Sequence, residues 1–315
     1  MSVLVAGSAN LDFVVRVPHV PSAGETVMGR SLQTFPGGKG ANQAVACARA
    51  GGVATAMLLA LGTDTQAAPI EASLHAAGVV THTVRSATAP TGTAFISLAD
   101  NAENSIIVAP GANAALGPAH LPSLQGVSHL LLQLEVPVDT VAAFARRARL
   151  DGTAVVLNAA PALPLPPGLL ADVDLLIVNE GELAAIAGQA GSVAEQLARL
   201  AVPTVIVTLG ARGCCARSAG AWLLQGAFPV KAVDTTAAGD TFCGALVAAL
   251  SLGDALPAAL RRASAAAALA CTRLGAQPSI PARAEVDALL QGSAENDASA
   301  LAALATHVGI PVDTE

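Results

Sequence analysis

The 315 residues predict an α/β protein of three layers, with helices on both faces of a mostly parallel central sheet and a small β-sheet outside it. Three observations carry that prediction. Short continuous apolar runs alternate with Ala-rich stretches of helical period, and strands without polar alternation are those buried on both faces of a parallel sheet. Residues 11–35 and 80–108 instead carry β-branched residues with Pro and Gly turns and no helical pattern, so both read as antiparallel strands outside the main sheet. The length accommodates one large domain or two smaller ones with ample core.

Taken in order, VLVAGS (3–8) opens the sheet and GANQAVACARAG (40–51) is a helix. VATAMLLAL (53–61) and PIEASLHAAG (69–78) repeat the pair. Then come HLLLQL (129–134), the helical VDTVAAFARRARLDG (138–152), AVVLNAAP (154–161) and LLIVN (175–179). The helical ELAAIAG (182–188) and AEQLARL (194–200) precede TVIVTLG (204–210). The two β-rich arms lie next to candidate site residues and are placed to form a lid. A single domain over 1–292 leaves 293–315 as an appended or poorly ordered tail with a possible short helix, SALAALATHV.

Composition narrows the function. Apolar residues make up 53% and charged residues 12%, yet much of the apolar count is Ala and no run approaches the roughly 18 residues of a membrane span. The N-terminus MSVLVAGSANLD has no basic segment or cleavage region, which predicts a soluble, cytoplasmic protein. Five cysteines in apolar contexts, without C-x-x-C spacing, read as buried free thiols. A net charge of −7, no Tyr and one Trp disfavour a nucleic-acid surface.

Several segments carry polar chemistry. FPGGKGANQA sets glycines before a helix, where backbone approaches closely and N–H groups are free; Lys39 and Asn42 within it point to a polar ligand. It has neither Walker A nor dinucleotide spacing. Asn10 and Asp12 follow the first strand two residues apart and so point the same way, suited to sugar hydroxyls or to an Asx turn. Glu135 and the pair Asn179 and Glu182 follow strands, where open α/β sheets bind ligands, though the pair equally suits a helix cap. In VDTTAAGDTFCGAL (233–246), the amides of Ala237, Ala238 and Gly239 at a helix start are suited to cradle an anion, with Asp240 placed to accept a hydroxyl proton.

GGKGANQA (37–44), N-x-x-E (179–182), TLGARG (208–213), DTTAAGDTF (234–242) and GAQPS (275–279), in that order, resemble the ribokinase branch of the carbohydrate kinase family named for the minor bacterial phosphofructokinase. The likeness spans roughly residues 2–290. Ala237 stands where the second signature often has Gly, as is common in this branch.

The resemblance implies the ribokinase-like α/β/α fold with a β lid, and ATP-dependent phosphorylation of D-ribose at its 5-hydroxyl. Asp240 is then the catalytic base, and the amides of Ala237, Ala238 and Gly239 hold the γ-phosphoryl charge. The sugar positions are Asn10, Asp12, Gly38, Lys39, Gly40, Asn42, Glu135 and Asp240. The ATP positions are Asn179, Thr208, Leu209, Gly210, Ala211, Arg212, Gly213, Gly239, Asp240 and Ser264. Glu182 matches a residue linked to Mg²⁺ through water, and an activating K⁺ falls to Asp234, Thr236, Ala270, Arg273, Gly275 and Ser279. The family also implies a homodimer through the lid and small-molecule partners, with no nucleic acid or membrane. Rival readings are a kinase for 2-deoxyribose, another pentose or a nucleoside, a non-catalytic sugar or nucleotide sensor, and an NAD-dependent dehydrogenase.

Overall fold

The computed structural model describes residues 2–100, 103–166, 168–293 and 298–310. The first strand, β1 (Ser2–Ala6), leads into β2 (Asn10–Val17) and β3 (Ser31–Gly37), and then into helix α1 (Lys39–Arg49). There follow β4 (Thr55–Leu61), α2 (Ala67–Ala76), β5 (Val80–Arg85), β6 (Gly92–Ala99) and β7 (Asn104–Ala109). Next are β8 (Val127–Leu132), α3 (Val138–Leu150), β9 (Ala154–Asn158), β10 (Leu175–Asn179), α4 (Glu180–Ala187) and α5 (Val193–Ala198). The chain closes with β11 (Thr204–Thr208), β12 (Gly213–Ser218), β13 (Ala221–Gly226), α6 (Ala238–Ser251), α7 (Leu256–Ala270), α8 (Arg283–Gly292) and α9 (Ala298–Val308).

Nine strands form the central sheet in the order β13-β12-β11-β10-β9-β8-β1-β4-β5, parallel from β11 to β5, with β12 and β13 antiparallel. The continuous apolar runs behave as expected, because their side chains feed two cores at once. Val3, Val5, Met57 and Leu59 pack under α1, α2, α6 and α7, while Leu4, Leu58, Leu130 and Leu132 pack under α3, α4 and α5 on the opposite face. Truncating any one of these buried leucines to Ala removes about 2–5 kcal/mol.

The Ala-rich composition lets helices approach closely. A Cβ on Gly244 would lie 2.5 Å from the Gln43 carbonyl oxygen and from Ala46 Cβ, so α6 rests almost backbone to backbone on α1. The Cys47 thiol donates to the Gly244 carbonyl across that contact at 3.3 Å. This closeness brings Asp240 within reach of α1.

Four expectations change. Residues 80–85 belong to the main sheet, since β5 pairs parallel with β4 and forms its edge. Within the small sheet (β3-β2-β6-β7), the central β2–β6 pair is parallel, and only the outer pairs are antiparallel. The hairpin β12–β13, unassigned from sequence, extends the main sheet past β11. Residues 298–308 are no loose tail: α9 buries Leu304, Ala305 and Val308, two of them in the second core. The remaining tail residues expected there, 294–297 and 311–315, lie outside the described residues.

All five cysteines are free, and all but the half-buried Cys271 are fully buried. Burial pushes the thiols of Cys47, Cys214 and Cys215 up to about 12, which makes them inert. Among the described residues no helix is long and apolar enough to cross a membrane.

Candidate active site

The polar residues converge at the carboxyl ends of the parallel strands, around the point between β1 and β8 where the strand order reverses, the usual ligand position in open α/β sheets. Ser8 follows β1, Gln133 and Glu135 follow β8, Asn158 and Asn179 end β9 and β10, and Thr208 ends β11.

Gly38 starts α1 at φ 88°, with its Cα against the Ala9–Asn10 backbone, where a Cβ would sit 2.8 Å from Ala9 Cα. The expected free amides at this helix start are already occupied. Lys39 N donates to Glu135 Oε2 at 3.1 Å, Gly40 N to Ser8 Oγ at 3.3 Å, and Ala41 N to Ser8 O at 2.9 Å. Ser8 Oγ in turn donates to Glu135 Oε2 at 2.6 Å. Among the described residues the first three amides of α1 are therefore taken, and this helix start positions Lys39 and Glu135.

The start of α6 differs. Ala237 holds the N-cap position in left-handed conformation, φ 59° and ψ 10°, which costs a non-glycine residue about 1–2 kcal/mol. Ala238 N donates to Thr235 O at a long 3.2 Å, whereas the N–H groups of Ala237 and Gly239 have no partner among the described residues. A Cβ on Gly239 would meet open space, so this end of the helix faces outward. Open amides, a helix dipole and a strained turn are together features that suit an anion.

One residue further on, the buried Asp240 carboxylate accepts from Asn42 Nδ2 at 2.9 Å on one oxygen and from Gln43 Nε2 at 3.0 Å on the other. Burial raises its pKa, and the Lys39 charge with the two amide donors opposes the rise. Lys39 lies among Asp240, Glu135 and Glu182; desolvation lowers its pKa, but these carboxylates outweigh that effect and raise it.

Asn10 and Asp12 share the inward face of β2, as their spacing predicts, and both are buried. Asn113 Nδ2 donates to Asn10 Oδ1 at 2.7 Å and fixes it. Asp12 receives no hydrogen bond among the described residues, and burial, then the Glu135 and Asp240 charges, push its pKa up to about 7. A buried carboxylate this short of donors can accept hydrogen bonds from a ligand's hydroxyls.

Asn179 and Glu182 form a reciprocal cap on α4. Glu182 N donates to Asn179 Oδ1 at 2.8 Å, and Asn179 N to Glu182 Oε2 at 2.8 Å. Burial raises the Glu182 pKa, despite the Asn179 amide and Lys39. Thr208 to Gly213 form the tight turn between β11 and β12, closed by Leu209 N donating to Gly213 O at 2.8 Å. Arg212 in that turn pairs with Glu180, which also pairs with His307 of α9. Ser264 is buried on α7, 3.9 Å from the Cys214 thiol.

Asp234 ties two loops together. Its Oδ1 accepts from Thr236 N and Oγ1 at 2.9 and 2.6 Å, and its Oδ2 from Gly275 N at 2.9 Å. The carbonyls of Thr236, Arg273 and Gly275 accept no hydrogen bond among the described residues, an oxygen-rich set that suits an alkali cation. Ser279 is committed to the Ala276 carbonyl, the Ala270 carbonyl accepts from Arg273 N, and the Arg273 side chain pairs with Glu285.

Sequence reasoning missed Ser8, Gln43, Asn113, Gln133 and Asn158. Four of them had a readable signal: Ser8, Gln133 and Asn158 are polar residues at or just past the ends of apolar strands, and Gln43 sits inside a quoted motif.

Residues 1–283 match the pfkB family carbohydrate kinase pattern. The ribokinase of Bacillus subtilis (strain 168) is 40% identical over 294 residues, covering 92% of this chain and 99% of that protein. Among solved structures, the ribokinase of Thermotoga maritima superposes with a TM-score of 0.84 at 37% identity, covering 92% of this chain and 99% of that one. The Arabidopsis thaliana ribokinase complexed with ribose and ATP superposes with a TM-score of 0.81 at 34% identity, with the same coverage. An open-amide helix start followed by a buried carboxylate, on a fold and sequence shared over nine-tenths of the chain, places this protein in the pfkB family of carbohydrate kinases.

Proposed function

We propose that the chain is a ribokinase, transferring the γ-phosphoryl group of ATP to the 5-hydroxyl of D-ribose to give D-ribose 5-phosphate and ADP. The observation that carries this reading is the buried Asp240 carboxylate directly after the open amides of α6, in a chain 40% identical to a ribokinase. The sugar oxygen attacks the γ-phosphorus in line as the bond to the ADP oxygen breaks, and the hydroxyl proton passes to Asp240. The amides of Ala237 and Gly239 carry charge on the transferring group, with Ala238 contributing less because Thr235 shares it.

Asn10, Asp12, Gly38, Lys39, Gly40, Asn42 and Glu135 hold the sugar; Asn179, the turn from Thr208 to Gly213, and Ser264 hold the nucleotide. Mg²⁺, when bound, would supply positive charge to the phosphates of ATP. Glu182 has an oxygen left over from its cap bond and would hold the metal's water shell. The Asp234 and Gly275 loops would hold K⁺ beside the anion site, chiefly through the carbonyls of Thr236, Arg273 and Gly275.

The small sheet serves as the lid that excludes water. Its outer face presents Leu32, Phe95 and Ile107 at 62%, 52% and 67% exposure, with Phe95 stacked on Phe13 at 5.4 Å. We assign this apolar face to a second copy of the chain. The need for ATP fits a cytoplasmic enzyme.

A coupled ADP-release assay with ribose, 2-deoxyribose, fructose and adenosine tests the reading. Ribose should give the highest kcat/KM, and replacing K⁺ with tetramethylammonium should cut the rate sharply. Preference for 2-deoxyribose would move the substrate to that pentose, and no ADP release with any sugar would favour a non-catalytic sensor.

Asp12 adds a pH prediction. Sugar hydroxyls donating to Asp12 favour its charged form, so binding releases a proton from a group whose pKa lies at about 7 in the free protein. Ribose affinity should therefore fall as pH drops below about 7. Calorimetry in two buffers of different ionisation enthalpy should report proton release there, and identical heats would remove Asp12 as a hydroxyl acceptor.

A further inference from the structure

A continuous run of buried amide side chains lies beneath Asp240, and the reading above gives it no task. Gln43 and Gln133 are wholly buried, and Asn158 nearly so. Asn158 Nδ2 donates to the Ile177 carbonyl of β10 at 3.2 Å. Gln43 Nε2 donates to Asn158 Oδ1 and to Asp240 Oδ1, both at 3.0 Å. Gln133 Nε2 donates to Gln43 Oε1 at 2.6 Å.

The polarity of this run is dictated from one end. A backbone carbonyl only accepts, so Asn158 must turn its NH₂ to Ile177 and its oxygen to Gln43. Two acceptors, Asn158 Oδ1 and Asp240 Oδ1, then face the same atom of Gln43, which must be its nitrogen. That leaves Gln43 Oε1 toward Gln133, whose NH₂ meets it. None of the three amides can flip alone without facing two donors or two acceptors at each other in a buried site, where an unmade bond is costly.

Asp240 is thereby gripped on both oxygens, by Gln43 on one and Asn42 on the other. Each oxygen keeps a second lone pair free, and rotation of the carboxylate would break both bonds.

We propose that Gln43 is a positioning residue for Asp240, locked in one orientation by Asn158 and Gln133, and that it keeps the carboxylate aligned and ionised to receive the hydroxyl proton. The proposal rests on the reading of Asp240 as the base. The other titratable groups around Asp240 are Lys39 on α1, Asp12 on β2, Glu135 after β8, Glu182 on α4 and Cys243 on α6. Lys39 favours the charged form, the carboxylates oppose it, and the inert thiol stays neutral.

The test is the pH profile of kcat at saturating ribose, where the bound sugar holds Asp12 in its charged form, in three proteins: the parent, Gln43→Glu and Gln133→Met. Gln43→Glu is isosteric but replaces the donor to Asp240 with a second acceptor, so kcat should fall about 100-fold and the acidic limb should move up by about 1 pH unit or more. KM for ATP should change little. Gln133→Met leaves the Asp240 bond in place but removes the donor that fixes Gln43, and should move the limb the same way by a smaller amount. A lowered kcat with an unmoved acidic limb in either folded variant overturns the proposal. If Gln43→Glu does not fold, the Gln133→Met profile decides alone. A nearly normal kcat in Asp240→Asn would sink the base assignment itself, whereas an inactive Asp240→Asn beside unmoved limbs would sink only the amide run.

Discussion

Asp240→Asn is expected to lower kcat by about 10²–10⁴-fold while ribose and ATP still bind. The carboxylate is the proposed proton acceptor, and an amide has no basic lone pair to take its place. The substitution also turns an acceptor-only group into one that presents an NH₂ to Asn42 or Gln43, both of which already donate there. Gln43 is fixed by Asn158, so Asn42, whose Oδ1 has no partner among the described residues, would have to flip its amide to accept from the new NH₂. Single-turnover kinetics with ribose and ATP measure the chemical step, and equilibrium binding of a non-hydrolysable ATP analogue checks that the site survives. Near-normal turnover would remove Asp240 from the role of base.

Lys39→Met should have the next largest effect, about 10²–10³-fold in kcat/KM for ribose. Lys39 is the cation set among Asp240, Glu135 and Glu182, and its charge counters the rise that burial imposes on Asp240. The methionine retains most of the stem and its packing while deleting the charge. With the cation gone, the Asp240 pKa climbs further, so less carboxylate is present at a given pH. The acidic limb of the rate profile should then move to higher pH, with partial recovery of activity in alkaline buffer. An unshifted profile would mean that Lys39 holds substrate without tuning the base.

Much of this is legible in the amino-acid sequence alone. The strands β1, β4 and β8–β11 announced themselves because burial on both faces demands unbroken apolar runs. The α1 and α6 starts were readable from their small residues. By contrast, β5 (VTHTVR) is an exposed edge strand of the main sheet and lacks the two-sided apolar signature, so it read as part of the lid. The β12–β13 hairpin escaped for a similar reason, being an antiparallel edge after a run of parallel strands. For α9 the sequence suggests only a possible short helix, and the surface it covers on the second core is not legible in it.

The sequence by itself determined the layered fold, the family resemblance and most candidate residues, because periodicity, strand ends and glycine-rich helix starts are local chemistry. Tertiary structure alone decided which of two similar helix starts is open. The amides of α1 are consumed by Ser8 and Glu135, the latter 96 residues away from Lys39, whereas Ala237 and Gly239 of α6 keep theirs. It also decided that Asp240 is held by amides 197 and 198 residues distant. Such pairings depend on how closely α1 and α6 pack, and no local pattern encodes the distance between two helices.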